Sequence, residues 1–242
     1  GQSSVYVRNA ERLGMRLDDA DAVVLSHGHY DHTGGLEEFP GKLPPVYVRR
    51  AALEDKLCKN ADQVTFRRIG IPWVVHEDGN IRIPDEIKES LRFTEEKEEI
   101  FPDIFVLGNI PADGDLPLFW KQTGSGLVPD RMEDEQLLVI REKSGLSVFA
   151  GCAHVGILNC LSFVESHFQG EHIRFLLAGM HLKGSGKKEI EDTIERIRDY
   201  GIEQLVPLHC TGIHAIAMMR DAFGKSCLSG ETGVSFSWQD EG

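Results

Sequence analysis

An α/β fold is what this sequence predicts, on two observations. Apolar runs of strand length alternate with segments whose apolar residues recur at helical spacing, and the apolar runs end repeatedly in histidine. The chain has 242 residues, 41% of them hydrophobic, enough for a sizeable core, and it is expected to form a single domain over 1–242 with an irregular insertion at about 60–131.

Val5 to Leu13 is expected to form a short helix that Gly14 ends. Ala22 to Leu25 is an apolar run typical of a buried strand. It delivers S-H-G-H-Y-D-H-T-G-G, Ser26 to Gly35, which packs His27, His29, Asp31 and His32 into six positions. Imidazole nitrogen and carboxylate oxygen suit zinc, iron or manganese, and four such groups on one short loop face a common point only around positive charge. A metal pair is therefore predicted. The competing reading, a histidine-rich solvent loop, fits poorly with a glycine-punctuated loop directly after a core strand.

Leu36 to Phe39 is predicted as a helical turn, Pro45 to Val48 as a strand and Ala51 to Cys58 as a helix. Weaker strand patterns follow at Val74 to His76, Ile81 to Ile83 and Leu91 to Phe93, then an acidic run from Thr94 to Glu99 and a stronger strand at Ile104 to Leu107. Gly108 to Arg131 has the glycine, proline and aromatic content of a long ordered loop, either a cover for a site or a surface excursion.

The second half repeats one device. Strands Leu137 to Ile140 and Leu146 to Ala150 flank a Lys143-Ser144-Gly145 turn, and the second runs into His154, where a helix carrying Ile157, Leu161, Val164 and Phe168 begins. Ile173 to Leu177 leads into His181, and a helix over Lys187 to Tyr200 buries Ile190, Ile194 and Ile197. At its front, Lys183, Ser185 and Lys187 combine cations with helix N-terminal amides, which suits a phosphate as well as it suits a solvated cap. Leu205 to Leu208 ends in His209; a helix over Ile213 to Phe223 and a strand over Val234 to Trp238 close the chain. His76, His167, His172 and His214 fall in no ligand pattern, and Cys152 and Cys210, beside the histidines, are packing groups or redox-sensitive ones.

Composition narrows the partners. A net charge of −13 argues against nucleic acid, whereas a small anionic substrate stays open if metals and local cations receive it. No apolar run approaches the roughly 20 residues of a membrane span, no signal-like segment opens the chain, and five unpatterned cysteines suit a reducing compartment. A cytoplasmic location without membrane contact is expected; oligomeric state is not legible.

The pattern H-x-H-x-D-H followed by T-G-G resembles the metal-binding signature of the metallo-β-lactamase superfamily. The resemblance implies a four-layer αβ/βα sandwich with two divalent ions at one edge, zinc foremost, with iron, manganese or magnesium as alternatives. It assigns His27, His29 and His154 to one ion and Asp31, His32 and His209 to the other. Where most members place a bridging aspartate this chain has His181; a neutral imidazole binds one ion but does not bridge two, so His181 joins Asp31 as a catalytic candidate. Only 21 residues precede the first strand, whereas the resemblance calls for several strands before it, so the N-terminal strands of the first sheet are expected upstream of Gly1.

Within the superfamily, D-E-Q-L-L at Asp134 to Leu138, G-C-A-H-V-G-I-L-N at Gly151 to Asn159, G-M-H-L at Gly179 to Leu182 and P-L-H-C-T-G at Pro207 to Gly212 are similar to the 7,8-dihydropterin-6-methyl-4-(β-D-ribofuranosyl)aminobenzene 5′-phosphate synthase branch. This implies a transferase of methanopterin biosynthesis, which joins a hydroxymethyldihydropterin diphosphate to a ribofuranosylaminobenzene phosphate with release of pyrophosphate. Two other classes stay open: a metal-dependent hydrolase of a phosphoester, lactone or thioester, and a non-catalytic metal or redox sensor.

Overall fold

The computed structural model describes residues 1–77, 79–112, 116 and 118–237. The chain divides into two compact units, one made of 1–95 and 114–136 and the other of 96–113 and 137–242.

The first unit contains α1 (Val5–Arg12), β1 (Val23–Val24), the one-turn helix α2 (Tyr30–Thr33), β2 (Val46–Val48), β3 (Asp55–Lys59), β4 (Phe66–Arg68), β5 (Val75–Glu77), β6 (Asn80–Arg82), α3 (Asp85–Ser90) and β7 (Leu91–Phe93). After β8 (Lys97–Phe101) and β9 (Ile104–Gly108), which belong to the second unit, the first unit resumes with β10 (Phe119–Thr123) and β11 (Gly126–Pro129). Its strands form a parallel sheet β1-β2-β7, an antiparallel sheet β11-β10-β3-β4 and the hairpin β5-β6. Val46 and Val48 of β2 are fully buried in a core with Leu25, Leu36, Ala52, Ile71 and Trp73. The metal-loop strand is thus anchored from β2 by Val23 N–H to Pro45 O (2.9 Å) and Leu25 N–H to Tyr47 O (3.0 Å).

The second unit continues with β12 (Gln136–Glu142), whose first residue Gln136 belongs to the first unit, then β13 (Gly145–Ala150), α4 (Ile157–His167), β14 (Ile173–Gly179), α5 (Lys187–Asp199), β15 (Gln204–Leu208) and α6 (Ile213–Phe223). One six-stranded sheet, in the order β15-β14-β13-β12-β9-β8, runs through it. β13, β14 and β15 are parallel neighbours, and β14 reads I-R-F-L-L-A-G with five of its seven residues buried, as a strand covered on both faces requires. On α5, Ile190, Ile194 and Ile197 recur at helical spacing and are buried, as expected.

The α/β class holds, but three local expectations fail. Ala51 to Cys58 is not a helix: a 3-10 turn over Arg50–Leu53 precedes strand β3, which pairs antiparallel with β10 and β4. β3 alternates half-buried and buried residues, and one inward position is Lys56, a lysine where the two-residue period calls for an apolar side chain. Within the span expected as a long loop, Phe119 to Pro129 forms the hairpin β10-β11, turned at Gly124-Ser125, and the wider stretch expected to be irregular holds β4 to β11. The predicted closing strand is absent over Val234 to Ser237, where Phe236 lies 5.5 Å from the Phe175 ring; Trp238 lies outside the described residues.

Candidate metal centre

In the first unit the predicted ligand loop closes on itself. The rings of His27 and His29 are 4.6 Å apart, those of His27 and His32 4.2 Å, and Asp31 Oδ2 lies 3.5 Å from His32 Nε2. The loop's path fixes this gathering. After His29, helix α2 makes one turn in which His29 O accepts from the backbone N–H of His32 (3.0 Å) and Thr33 (3.1 Å) and from Thr33 Oγ1 (2.9 Å). Tyr30 N–H reaches Ile69 O at 2.8 Å, and Trp73 Nε1 donates to Thr33 O at 3.0 Å. Three imidazoles and a carboxylate turned inward are a donor set that fits a divalent transition metal.

Burial decides the protonation state of His29. Desolvation, helped by Lys56 and His32 and opposed by Asp134 and Asp31, pulls His29 down to about 4, so its ring is neutral at physiological pH, as a ligand must be. The linked stability has a definite sign. Between about 4 and the ordinary 6.5 the unfolded chain binds a proton at His29 that the folded chain does not, so stability is complete above 6.5 and is lost as pH falls through that window. The metal-free protein is expected to lose up to about 3 kcal/mol over it, measurable by urea unfolding at a series of pH values. A flat profile between pH 7 and 4 would contradict a buried neutral His29.

The backbone between His27 and His29 is held by residues that sequence reasoning assigned no role in the site. Asp134 Oδ2 accepts from Gly28 N–H at 2.6 Å, while its Oδ1 takes a hydrogen bond from Lys56 Nζ at 2.7 Å. Lys56 also donates to Asp130 Oδ2 at 2.6 Å, and all three side chains are buried. Burial alone would drive Lys56 down, but the two carboxylates hold its ammonium well above the ordinary lysine value, and against the same burial cost Lys56 and the Gly28 N–H hold Asp134 below the usual carboxylate range. Gly28 itself leaves no room for a side chain: a Cβ there would stand 2.4 Å from Ala52 O. Gly28→Ala is accordingly expected to cost about 1–3 kcal/mol, read by thermal unfolding, whereas Gly186→Ala, with open space around its Cβ position, is expected to be near neutral.

In the second unit the three histidines predicted for the site follow adjacent parallel strands, His154 after β13, His181 after β14 and His209 after β15. The carboxyl ends of neighbouring parallel strands are where open α/β sheets place their sites. His154 is buried and its ring lies 4.5 Å from that of His181, which is exposed, as is His209. Ala153, His181 and His209 all take φ of 49°, a left-handed conformation that costs a non-glycine residue about 1 kcal/mol or more and persists only where neighbours enforce it. The enforcing contacts are visible: Met180 N–H donates to Thr211 Oγ1 (3.0 Å), His181 N–H to Cys210 Sγ (3.3 Å) and Lys183 N–H to Cys210 O (3.1 Å). Gly179 seals the junction, since a Cβ there would stand 2.5 Å from Gly151 O.

Cys210 thus ties two strand-end loops together. The Cys152 side chain and the His181 N–H bring its thiol down to about 4 against burial. Its Sγ lies 3.6 Å from the Cys152 carbonyl and accepts from His181 N–H at 3.3 Å. None of the five cysteines forms a disulfide.

The suggested phosphate cradle is only partly gathered. Lys183 lies against Gly212 of the His209 loop, whereas Lys187, exposed at the start of α5, pairs with Glu191 at 3.5 Å; Ser185 sits between them with its backbone N–H on Leu182 O. Among the histidines outside the ligand pattern, His167 and His172 pair with Glu96 and Glu203.

The chain is similar to known proteins both in sequence and in structure. The sequence model of the metallo-beta-lactamase superfamily matches residues 2–127. A solved structure described as Tm1679, a metal-dependent hydrolase of the beta-lactamase superfamily, superposes with a TM-score of 0.83 at 31% identity, over 99% of this chain and 87% of that one. Two proteins of Methanocaldococcus jannaschii are similar in sequence. One, uncharacterized, is 28% identical over 90% of this chain and 80% of its own; the other, a 7,8-dihydropterin-6-methyl-4-(beta-D-ribofuranosyl)-aminobenzene-5'-phosphate synthase, is 24% identical over 89% and 74%.

Proposed function

Because this chain belongs to the metallo-β-lactamase superfamily, we propose that it is a metal-dependent enzyme acting on a small phosphorylated substrate. The reaction we favour is the transfer that joins a hydroxymethyldihydropterin diphosphate to a ribofuranosylaminobenzene phosphate and releases pyrophosphate. The observation that carries the metal reading is the inward-turned set of His27, His29, His32 and Asp31, with His29 held neutral. The synthase relative from Methanocaldococcus jannaschii supports the choice of transfer.

In this reading His27, His29 and His154 hold one divalent ion and Asp31, His32 and His209 a second, with zinc favoured. When bound, such ions supply Lewis acidity to the leaving diphosphate. The chain's own residues do the rest. His27 is oriented by Ser26 Oγ, 3.1 Å from its Nδ1. Asp31 orients His32 or accepts a proton from the incoming group. His181, on its left-handed strand end, presents an imidazole to a substrate phosphate, and Lys183 adds a cation beside it. The protein is taken to work in the cytoplasm without a nucleic-acid or membrane partner; no helix among the described residues is long and apolar enough to cross a membrane.

The test is pyrophosphate release by metal-loaded protein from a dihydropterin diphosphate and the ribosylated acceptor. Release that requires the acceptor supports the transfer. The structural relative described as a metal-dependent hydrolase favours a second reading, which predicts turnover of a generic phosphodiester, a lactone or a thioester with no acceptor present. Metal uptake with no turnover on either panel would leave a sensor. His181→Asp is expected to tighten the second ion, by adding a carboxylate where the superfamily has one, and to impair turnover of a phosphorylated substrate. Zinc or manganese titration beside the pyrophosphate assay reads both effects; if neither changes, His181 is not in the site.

A further inference from the structure

We propose that Asp134 and Gln136 are positioning residues for the metal loop: together they grip the backbone on both sides of His27, and with Lys56 opposite, only a carboxylate at 134 can do its part. The inference rests on the metal reading above and concerns how that reading's ligands are held. Gln136 takes the strand side. Its backbone N–H donates to Ser26 O at 2.8 Å, and its side-chain Nε2 donates to Leu25 O at 2.7 Å and to Tyr47 O at 3.1 Å. Thr94 Oγ1 donates to Gln136 Oε1 at 2.6 Å, which fixes the amide so that its NH2 faces the two carbonyls. Asp134 takes the other side through Gly28 N–H. Residues 25, 26 and 28 are therefore bonded to one short segment around His27, and Ala52 O closes off the space that Gly28 could otherwise use to move.

The chemistry at 134 is specific. Each carboxylate oxygen faces a donor, the Gly28 N–H on one and the Lys56 ammonium on the other. An asparagine there must point its NH2 at one of them, a donor against a donor. The surrounding charge is equally particular, because one lysine serves two buried carboxylates. By formal charge the cluster carries one net negative charge directly behind a loop proposed to hold cations, so the strap both shapes the loop and favours its loading.

The experiment is a titration of metal-stripped protein with cobalt(II), followed by its visible absorption bands, which report ligand geometry independently of turnover. Asp134→Asn is expected to weaken cobalt binding by about 10-fold or more, the range found when groups supporting a metal ligand are removed, and to broaden the bands. Lys56→Met/Asp134→Asn takes away the clashing ammonium, leaves the amide oxygen free for Gly28 N–H, and is expected to recover most of the affinity and the band shape. General loosening of the fold predicts the opposite order, the double variant binding more weakly than the single one. Equal affinity in wild type and Asp134→Asn, or no recovery in the double variant, overturns the proposal. Should either variant not fold, Thr94→Val, which frees the Gln136 amide to flip, decides: weaker cobalt binding supports the strap and unchanged binding overturns it. Wild-type protein that takes up no cobalt refutes the metal reading instead.

Discussion

Lys56→Met is expected to lower the unfolding free energy by about 3–5 kcal/mol, the range for removing one partner of a buried ion pair. The volume change is small, so the loss is electrostatic in origin. Lys56 is fully buried and is the cation that Asp130 and Asp134 both contact; without it two carboxylates stand in the core with, among the described residues, the backbone N–H groups of Met132 and Gly28 as their hydrogen-bond donors. They would be forced to take up protons, and stability that wild type keeps at neutral pH would depend on acidity. Lys42→Met, at an exposed site, is expected to stay within about 0.5 kcal/mol. Urea unfolding of both variants at pH 7 measures the difference; a Lys56→Met loss under about 1 kcal/mol would mean that the network is not the anchor described here.

His29→Ala is expected to have the largest effect on loading and turnover. Its ring belongs to the inward-turned set, and burial keeps it in the neutral form that donates to a metal. Removing a ligand should exceed the roughly 10–100-fold loss seen for supporting groups, so metal affinity and turnover should both fall by more than about 100-fold. His214→Ala, at an exposed residue outside the ligand pattern, is expected to leave both unchanged. Equilibrium dialysis against zinc with a turnover assay separates the two variants, and His29→Ala protein that keeps wild-type affinity would take His29 out of the ligand set.

The donor residues were legible because they are dense and local. Four of them fall within six positions after an apolar run, and the other histidines repeat one junction, strand end followed by imidazole, that the structure reproduces at β13, β14 and β15. The support was not legible. Lys56 breaks the alternation of β3, so the strand that delivers it looks helical, and its partners Asp130 and Asp134 lie 74 and 78 positions away. Asp134 and Gln136 were visible only as part of a family motif, because nothing in local pattern shows that a backbone amide at Gly28 needs an acceptor. The hairpin β10-β11 was hidden for a related reason: glycine and proline mark turns and loops alike, and its strand positions are mostly half-buried. At the chain end the alternating Val234-Ser235-Phe236-Ser237 mimics a strand, yet Phe236 docks on an aromatic ring rather than joining a ladder.

The central claim is that the histidines and aspartate of these loops hold divalent metal. Elemental analysis of protein purified without chelator, repeated after stripping and reconstitution with zinc, tests it directly. Between one and two metal ions per chain are expected, one for each proposed ligand set, His27 and His29 with His154 or Asp31 and His32 with His209. Less than about 0.2 ion per chain as purified, with none taken up on reconstitution, would contradict it.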